Sequence, residues 1–227
     1  MKKVLLTAAM AAGLIAGVSG TAHAALSIEI CDVTGATCTS VTDGGVGDLA
    51  IGTPNAIIFS GLVGGFNITV DTALTNSPGG PAASNLGNVI LATNTTGAAR
   101  TLTVEAIDDG FLFPGVSAAS MNCQSSGTNV AGTNQSVTTS CTADGQTSNL
   151  PAYDPSGDGE SSDTAVNILS QPYTISNFST IVFSPNGIVQ VTQSTRLTAV
   201  PEPASLSLLG IGLAGLAGAA RRRMRKG

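Results

Sequence analysis

Apolar and polar residues alternate in several short runs along the chain. Leu26, Ile28 and Ile30 are spaced by Ser27 and Glu29. Phe66, Ile68 and Val70 are spaced by Asn67 and Thr69, and Leu102, Val104 and Ala106 by Thr103 and Glu105. Val189 and Val191 flank Gln190. A period of two with β-branched residues is the signature of strands with one buried face. Turn residues punctuate these runs at Asp43-Gly44-Gly45, Ser77-Pro78-Gly79-Gly80, Asp108-Asp109-Gly110 and Pro185-Asn186-Gly187. Asn186-Gly187 lies between Ile181-Val182-Phe183 and Ile188-Val189-Gln190-Val191, which predicts a β-hairpin. Thr95-Thr96-Gly97-Ala98 predicts another, joining strands near 87–94 and 100–107. No helical period is sustained between residues 25 and 200. The pattern predicts an all-β fold, a single antiparallel β-sandwich with long loops. Residues 142–164 are predicted as an acidic flexible loop, because Leu150 and Tyr153 are their only bulky side chains. Phe59, Phe66, Phe178 and Phe183 fall in apolar strand contexts and are assigned to the core. Phe111 and Phe113 flank a turn and are assigned there too, in preference to an exposed position.

The two ends break the alternation. Met1-Lys2-Lys3 precedes an apolar stretch from Val4 to Val18, and Ala22-His23-Ala24 offers a small-x-small cleavage site. These features predict a helical secretory signal peptide over residues 1–24, cut between Ala24 and Ala25, rather than a lasting anchor. The Sec translocon and signal peptidase are the implied partners. At the other end, Pro201-Glu202-Pro203 precedes Ala204 to Ala220, seventeen residues without a charge. Arg221, Arg222, Arg223, Arg225 and Lys226 follow. As a helix the uncharged stretch spans ~25 Å, at the short limit for crossing a bilayer. The basic block would stay in the cytoplasm and leave the body outside. This predicts a C-terminal transmembrane helix in the inner membrane.

Pro201-Glu202-Pro203, the glycine- and leucine-rich span and the arginine cluster together resemble the PEP-CTERM sorting signal. The resemblance covers residues 200–227, with 201–227 as the sorting segment. It implies export in a Gram-negative bacterium that makes exopolysaccharide. It also implies recognition by an exosortase, a membrane-embedded transpeptidase-like enzyme with a cysteine nucleophile. Pro201, Glu202 and Pro203 match its recognition motif, and Arg221, Arg222, Arg223, Arg225 and Lys226 match the basic stop.

Charge and residue counts narrow the chemistry of the body. Within residues 25–200, Arg100 and Arg196 face thirteen acids, a net charge of −11. There is no basic stripe to neutralise phosphates, so nucleic acid is not an expected partner. The single histidine, His23, leaves with the signal, and no lysine lies between 25 and 200. A serine or cysteine nucleophile would lack its usual base. Cys31, Cys38, Cys123 and Cys141 are an even count in an exported chain, which predicts disulfides. Three pairings exist, and proximity favours Cys31–Cys38 with Cys123–Cys141. Without a C-x₂₋₄-C spacing or a histidine, structural zinc is not expected.

Two carboxylate groupings remain. Glu105 with Asp108 or Asp109 is a local pair of the kind glycoside hydrolysis uses, although acids beside Gly110 suit a strand end and turn better. Asp154, Asp158, Glu160 and Asp163, with Gly157 and Gly159, form an oxygen-rich run that could hold calcium. The run departs from the EF-hand spacing, with Ser156 third and Ala165 twelfth. The body has no tryptophan and two tyrosines, few platforms for stacking sugars. Asn-x-Ser/Thr triplets at Asn67, Asn94, Asn134 and Asn177 read as chance in a chain rich in asparagine, serine and threonine. The expectation is a non-catalytic exported protein with no resident cofactor, sorted by an exosortase to the cell surface or the exopolysaccharide and biofilm matrix. The alternatives are a calcium-dependent adhesin or carbohydrate-binding module, and a hydrolase using paired carboxylates.

Overall fold

A computed structural model describes residues 26–72, 75–76, 83–112, 117–156, 159–168 and 171–200. The predicted signal helix with its Ala24–Ala25 cleavage site, the transmembrane helix and the whole of the 201–227 sorting segment lie outside these residues, as do Phe113 and Asp158. Twelve strands are present among the described residues: β1 (Ser27–Asp32), β2 (Thr37–Thr42), β3 (Ile57–Val63), β4 (Phe66–Thr72), β5 (Ala83–Asn94), β6 (Arg100–Phe111), β7 (Ala118–Ala131), β8 (Ser136–Ala143), β9 (Gln146–Asn149), β10 (Glu160–Asn167), β11 (Tyr173–Phe183) and β12 (Ile188–Ala199). One sheet runs β2-β1-β6-β11-β8-β9 and the other β10-β7-β12-β5-β4-β3. This is the all-β sandwich that the alternation predicts.

The alternating apolar residues face inward. Leu26, Ile28, Ile30, Phe66, Ile68, Val70, Leu102, Val104, Ala106, Val189 and Val191 are all buried. Phe66 and Phe183 meet across the two sheets with ring centroids 5.1 Å apart. Phe178 departs from its predicted core position and faces outward, 36% exposed. Its neighbours Asn177 and Ser179 take the inward places, in phase with Ile175, Ile181 and Phe183. Burying Phe178 would turn that whole apolar set outward. The inward polar groups are hydrogen-bonded across the sandwich. Asn177 Nδ2 donates to Leu86 O at 3.0 Å, Ser179 Oγ to Gln193 Oε1 at 2.6 Å, and Tyr173 OH to Ser84 Oγ at 2.8 Å. Such partners are what make a buried polar group tolerable.

Neither predicted hairpin forms. β11 and β12 lie in different sheets, as do β5 and β6, so 184–187 and 95–99 are crossings between layers. The cause lies in residue phase. A two-residue hairpin at Asn186-Gly187 would set Phe183 opposite Gln190, an inward residue against an outward one. In the structure the two crossings brace each other. Asn94 N donates to Gly187 O at 2.9 Å and Asn186 N to Thr96 O at 3.1 Å. Asn94 Nδ2 donates to both Ala98 O and Ser184 O. Asn94 and Asn177 are buried.

The stretch 142–164 is not one long loop. It holds the end of β8, the whole of β9 and the start of β10. Asp144 and Gly145 both have positive φ, at 47° and 75°, and Ala143 pairs with Gln146. This is a two-residue turn of the Asp-Gly kind that suits a tight hairpin. β9 and β10 are edge strands of opposite sheets, and polar side chains join them. Gln146 Nε2 donates to Asn167 O, and Asn167 N donates back to Gln146 Oε1. These strands show little apolar alternation: backbone ladders to β8 and β7 and the polar bridges hold them, and Val166 of β10 is their one large apolar side chain in the core.

Candidate functional site

The two predicted disulfides are formed, Cys31–Cys38 and Cys123–Cys141. The first is a cross-strand pair in the β1–β2 hairpin. The second joins β7 to β8, one strand from each sheet, and both its cysteines are buried.

The carboxylates singled out in the sequence are dispersed. Glu105 lies on the outer face of β6, half-buried. Asp108, three positions on, points into the core and is fully buried, while Asp109 is exposed. A separation of three in a strand places Glu105 and Asp108 on opposite faces. Thr75 Oγ1 donates to Asp108 Oδ2, and Asp108 Oδ1 has no partner among the described residues. Burial pushes the Asp108 carboxyl up to about 6; the Thr75 bond offsets part of this, and the negative charges of Asp109 and Asp43 add to it. The structure does bring together a pair that sequence reasoning missed. Glu29 of β1 stands opposite Glu105 on the open face of the first sheet. Burial and then the Glu29 charge raise the Glu105 carboxyl, against a Ser176 hydrogen bond. Only the β1–β6 register reveals this pair, and no local spacing encodes it.

Two of the candidate calcium ligands diverge. Glu160 and Asp163 both lie on β10, three positions apart, and so face opposite ways. Asp163 Oδ1 accepts from Asn122 Nδ2 at 2.9 Å. Asp154 Oδ1 accepts from Ser156 N at 2.9 Å and Ser156 Oγ at 2.7 Å, which hold its carboxyl below the usual range. Among the described residues, one group of three metal-capable side chains converges, Glu29, Cys31 and Cys38, with ligand atoms within 4.8 Å of one another. Its sulfurs are spent on each other as a disulfide.

A cleft of about 270 Å³ opens where β10 begins. Gln124 and Ser126 of β7, Thr192 and Ser194 of β12, and Glu160 and Ser161 of β10 line it. The register aligns Ser161, Gln124 and Ser194 in one row across three strands. Gly159 closes the end: a Cβ there would lie 2.8 Å from Ser126 Cβ. Ser125, also in the lining, bonds Tyr153 OH through its Oγ at 2.7 Å. Burial raises the Tyr153 hydroxyl, opposed by the Ser125 bond and reinforced by the Glu160 charge. Among the described residues the lining is hydroxyl and amide, with one carboxylate and no aromatic ring.

No curated protein matches the chain in sequence. A solved structure described as TmCBM61 in complex with beta-1,4-galactotriose aligns with 60% of this chain and 88% of its own, at 6% identity. Its TM-score is 0.31, too low to carry an argument about fold or ligand. Residues 199–223 match the family model of the PEP-CTERM protein-sorting motif. The chain therefore carries a PEP-CTERM sorting motif, at the residues whose resemblance the sequence displayed.

Proposed function

We propose that the chain is a non-catalytic exported protein whose disulfide-stapled sandwich is delivered to the cell surface or extracellular matrix by its tail. The observation that carries this reading is the match of residues 199–223 to the sorting motif, which implies an exosortase substrate held in the membrane before processing. The signal peptide ends at Ala24, and Ala25 begins the mature body. The uncharged stretch and basic block hold the chain in the inner membrane until an exosortase cuts near Pro201-Glu202-Pro203. Two disulfides suit a protein that matures outside the reducing cytoplasm. The scattering of Glu105, Asp108 and Asp109 between two faces of β6 supports a non-catalytic body. Mass spectrometry of the surface and secreted fractions tests the reading. A strain with an active exosortase should yield mature chains that lack Arg221–Lys226. Recovery of that block on most mature chains would favour a permanent anchor instead.

The polar cleft supports a second reading, a module that binds a neutral, hydroxyl-rich ligand such as a matrix saccharide. Gln124 can donate and accept at once, and Glu160 can accept from a hydroxyl. Titration with oligosaccharides from the host's own exopolysaccharide tests it: heat evolved by the natural chain and lost in Gln124→Ala supports the cleft, and equal heats from both overturn it.

A further inference from the structure

The loop between β2 and β3 exposes three aliphatic side chains within six residues. Val46 is 99% exposed, Leu49 62% and Ile51 80%. Connecting loops ordinarily present polar residues to water, and a cluster of exposed aliphatics marks a contact surface. The loop is held in shape from below. Asp48 is buried and accepts from Gly44 N at 2.9 Å, Ala50 N at 2.8 Å and Ile58 N at 3.1 Å. Asp43 Oδ2 accepts from Asn55 N at 2.7 Å, and Leu49 N donates to Ile58 O at 2.7 Å. The carboxylates face the loop's backbone, while the aliphatic side chains stand in solvent.

Its place in the sandwich suggests what it meets. Asp43 N donates to Leu26 O at 2.9 Å, so the loop starts beside the point where the chain enters the fold. Asp43 also lies close enough to Asp108 for the two charges to repel. Asp108 pairs with Ile175, two residues from Tyr173. Tyr173 OH reaches Ser84, which pairs with Leu197 near the end of β12. The loop therefore belongs to the end of the sandwich from which Val200 departs. Three residues, Pro201 to Pro203, separate Val200 from the uncharged stretch. Three residues span at most ~10 Å, so an anchored body sits against the bilayer by this end.

We propose that the Val46–Ile51 loop is a membrane-contact knuckle, seated in the lipid headgroup layer while the tail anchors the chain. The proposal rests on residues 204–220 acting as a membrane anchor, as in the function proposed above. The loop has no basic residue between Asp43 and Ile57, so its contact is apolar and insensitive to salt. Removing the tail by cleavage would leave this weak contact alone and free the body to leave the surface.

The chain contains no tryptophan, so a single introduced one is a clean reporter. Leu49→Trp and Ile51→Trp are made separately in the full chain, with Leu62→Trp as control. Leu62 is 73% exposed on β3, towards its hairpin with β4. Thermal melting first checks that each variant folds, and two knuckle positions guard against loss of one. Each is reconstituted into phosphatidylcholine vesicles with or without brominated lipid, and flotation reports anchoring. The expected result is blue-shifted emission at 49 and 51, with most of it lost to brominated lipid at low and high salt, and no such loss at 62. A chain that floats but shows no more quenching at 49 and 51 than at 62 overturns the knuckle and leaves the anchor standing. A chain that does not float overturns both. A blue shift that depends on protein concentration and ignores brominated lipid assigns the surface to a second copy and overturns the membrane contact.

Discussion

Two buried aspartates show how one residue type can act in opposite senses. Asp32 accepts from Gly35 N at 2.8 Å, Gly65 N at 2.9 Å and the Arg100 guanidinium. Burial alone would raise its carboxyl, but the Gly65 and Gly35 amides and the Arg100 charge hold it below the ordinary range. It ties the β1–β2 turn, the β3–β4 turn and the start of β6 into one knot. Asp32→Ala would leave two amides and a guanidinium without their acceptor. The expected cost is about 3 kcal/mol, from breaking a largely buried pair, read by urea denaturation. Asp108 has the opposite sign, with a carboxyl pushed up to about 6 from an ordinary 3.8. The folded state then holds the proton more tightly than the unfolded chain does. Its stability contribution is full below the unfolded value and falls as pH rises towards the folded one. At neutral pH the ionised group costs on the order of 2–3 kcal/mol. Asp108→Asn should therefore raise the melting temperature at pH 7.5 and change it little at pH 4. A gain of equal size at both would mean that packing, not charge, limits the site. Asp32 and Asp48 act the other way, losing their contribution as acid protonates them below the ordinary range.

At the scale of elements, the two disulfides do different work. In the chain-entropy account each loop closure is worth about 2.5–3 kcal/mol. Cys31–Cys38 lies at the half-exposed β1–β2 hairpin, whereas Cys123–Cys141 is buried between the sheets. Access governs thiol attack, so mild reductant should open Cys31–Cys38 first and leave the sandwich folded. Differential alkylation with peptide mapping checks the order; equal reduction of both pairs would show that the core opens as readily as the hairpin. Much of this level was legible in the sequence. The strands around Ile28, Ile68, Val104 and Val191 follow from alternation, and the cysteine pairs follow from proximity. The crossings at 95–99 and 184–187 look like hairpins because Thr95-Thr96-Gly97-Ala98 and Asn186-Gly187 each describe a turn and not the sheet that receives the next strand. Phase held the answer: Phe183 and Val189 are an even number of positions apart, whereas Cys141 and Ser148 flank Asp144-Gly145 at the odd separation a two-residue hairpin requires. β9 and β10 were hidden for another reason. Their bonding is polar and joins edges, so nothing apolar repeats in Gln146–Asn149 or through Glu160–Ala165. The Glu29–Glu105 pair and the cleft depend on strand partners that no local pattern specifies.

At the scale of the molecule, charge is divided unevenly between the two ends and the body. The full chain carries −5, while residues 25–200 carry −11. The difference lies in Lys2 and Lys3, the five terminal cations and Glu202. Within the body, Arg100 is committed to Asp32, and Arg196 is exposed on the outer face of β12. Asp32, Asp48 and Asp108 are buried, and most of the remaining acids of the body lie at the surface with little positive charge to offset them. If both ends are cleaved as proposed, the positive ends that partly neutralise the full chain are removed. A strongly acidic body resists self-association and avoids other polyanions, and it gives up some stability to self-repulsion. It should consequently elute from an anion exchanger at higher salt than the precursor. A variant with Arg221, Arg222 and Arg223 replaced by Gln should shift the precursor towards the mature position without changing the position of the mature body. Co-elution of the natural precursor and mature forms would mean that the terminal cations are still attached after sorting, against cleavage near Pro201-Glu202-Pro203.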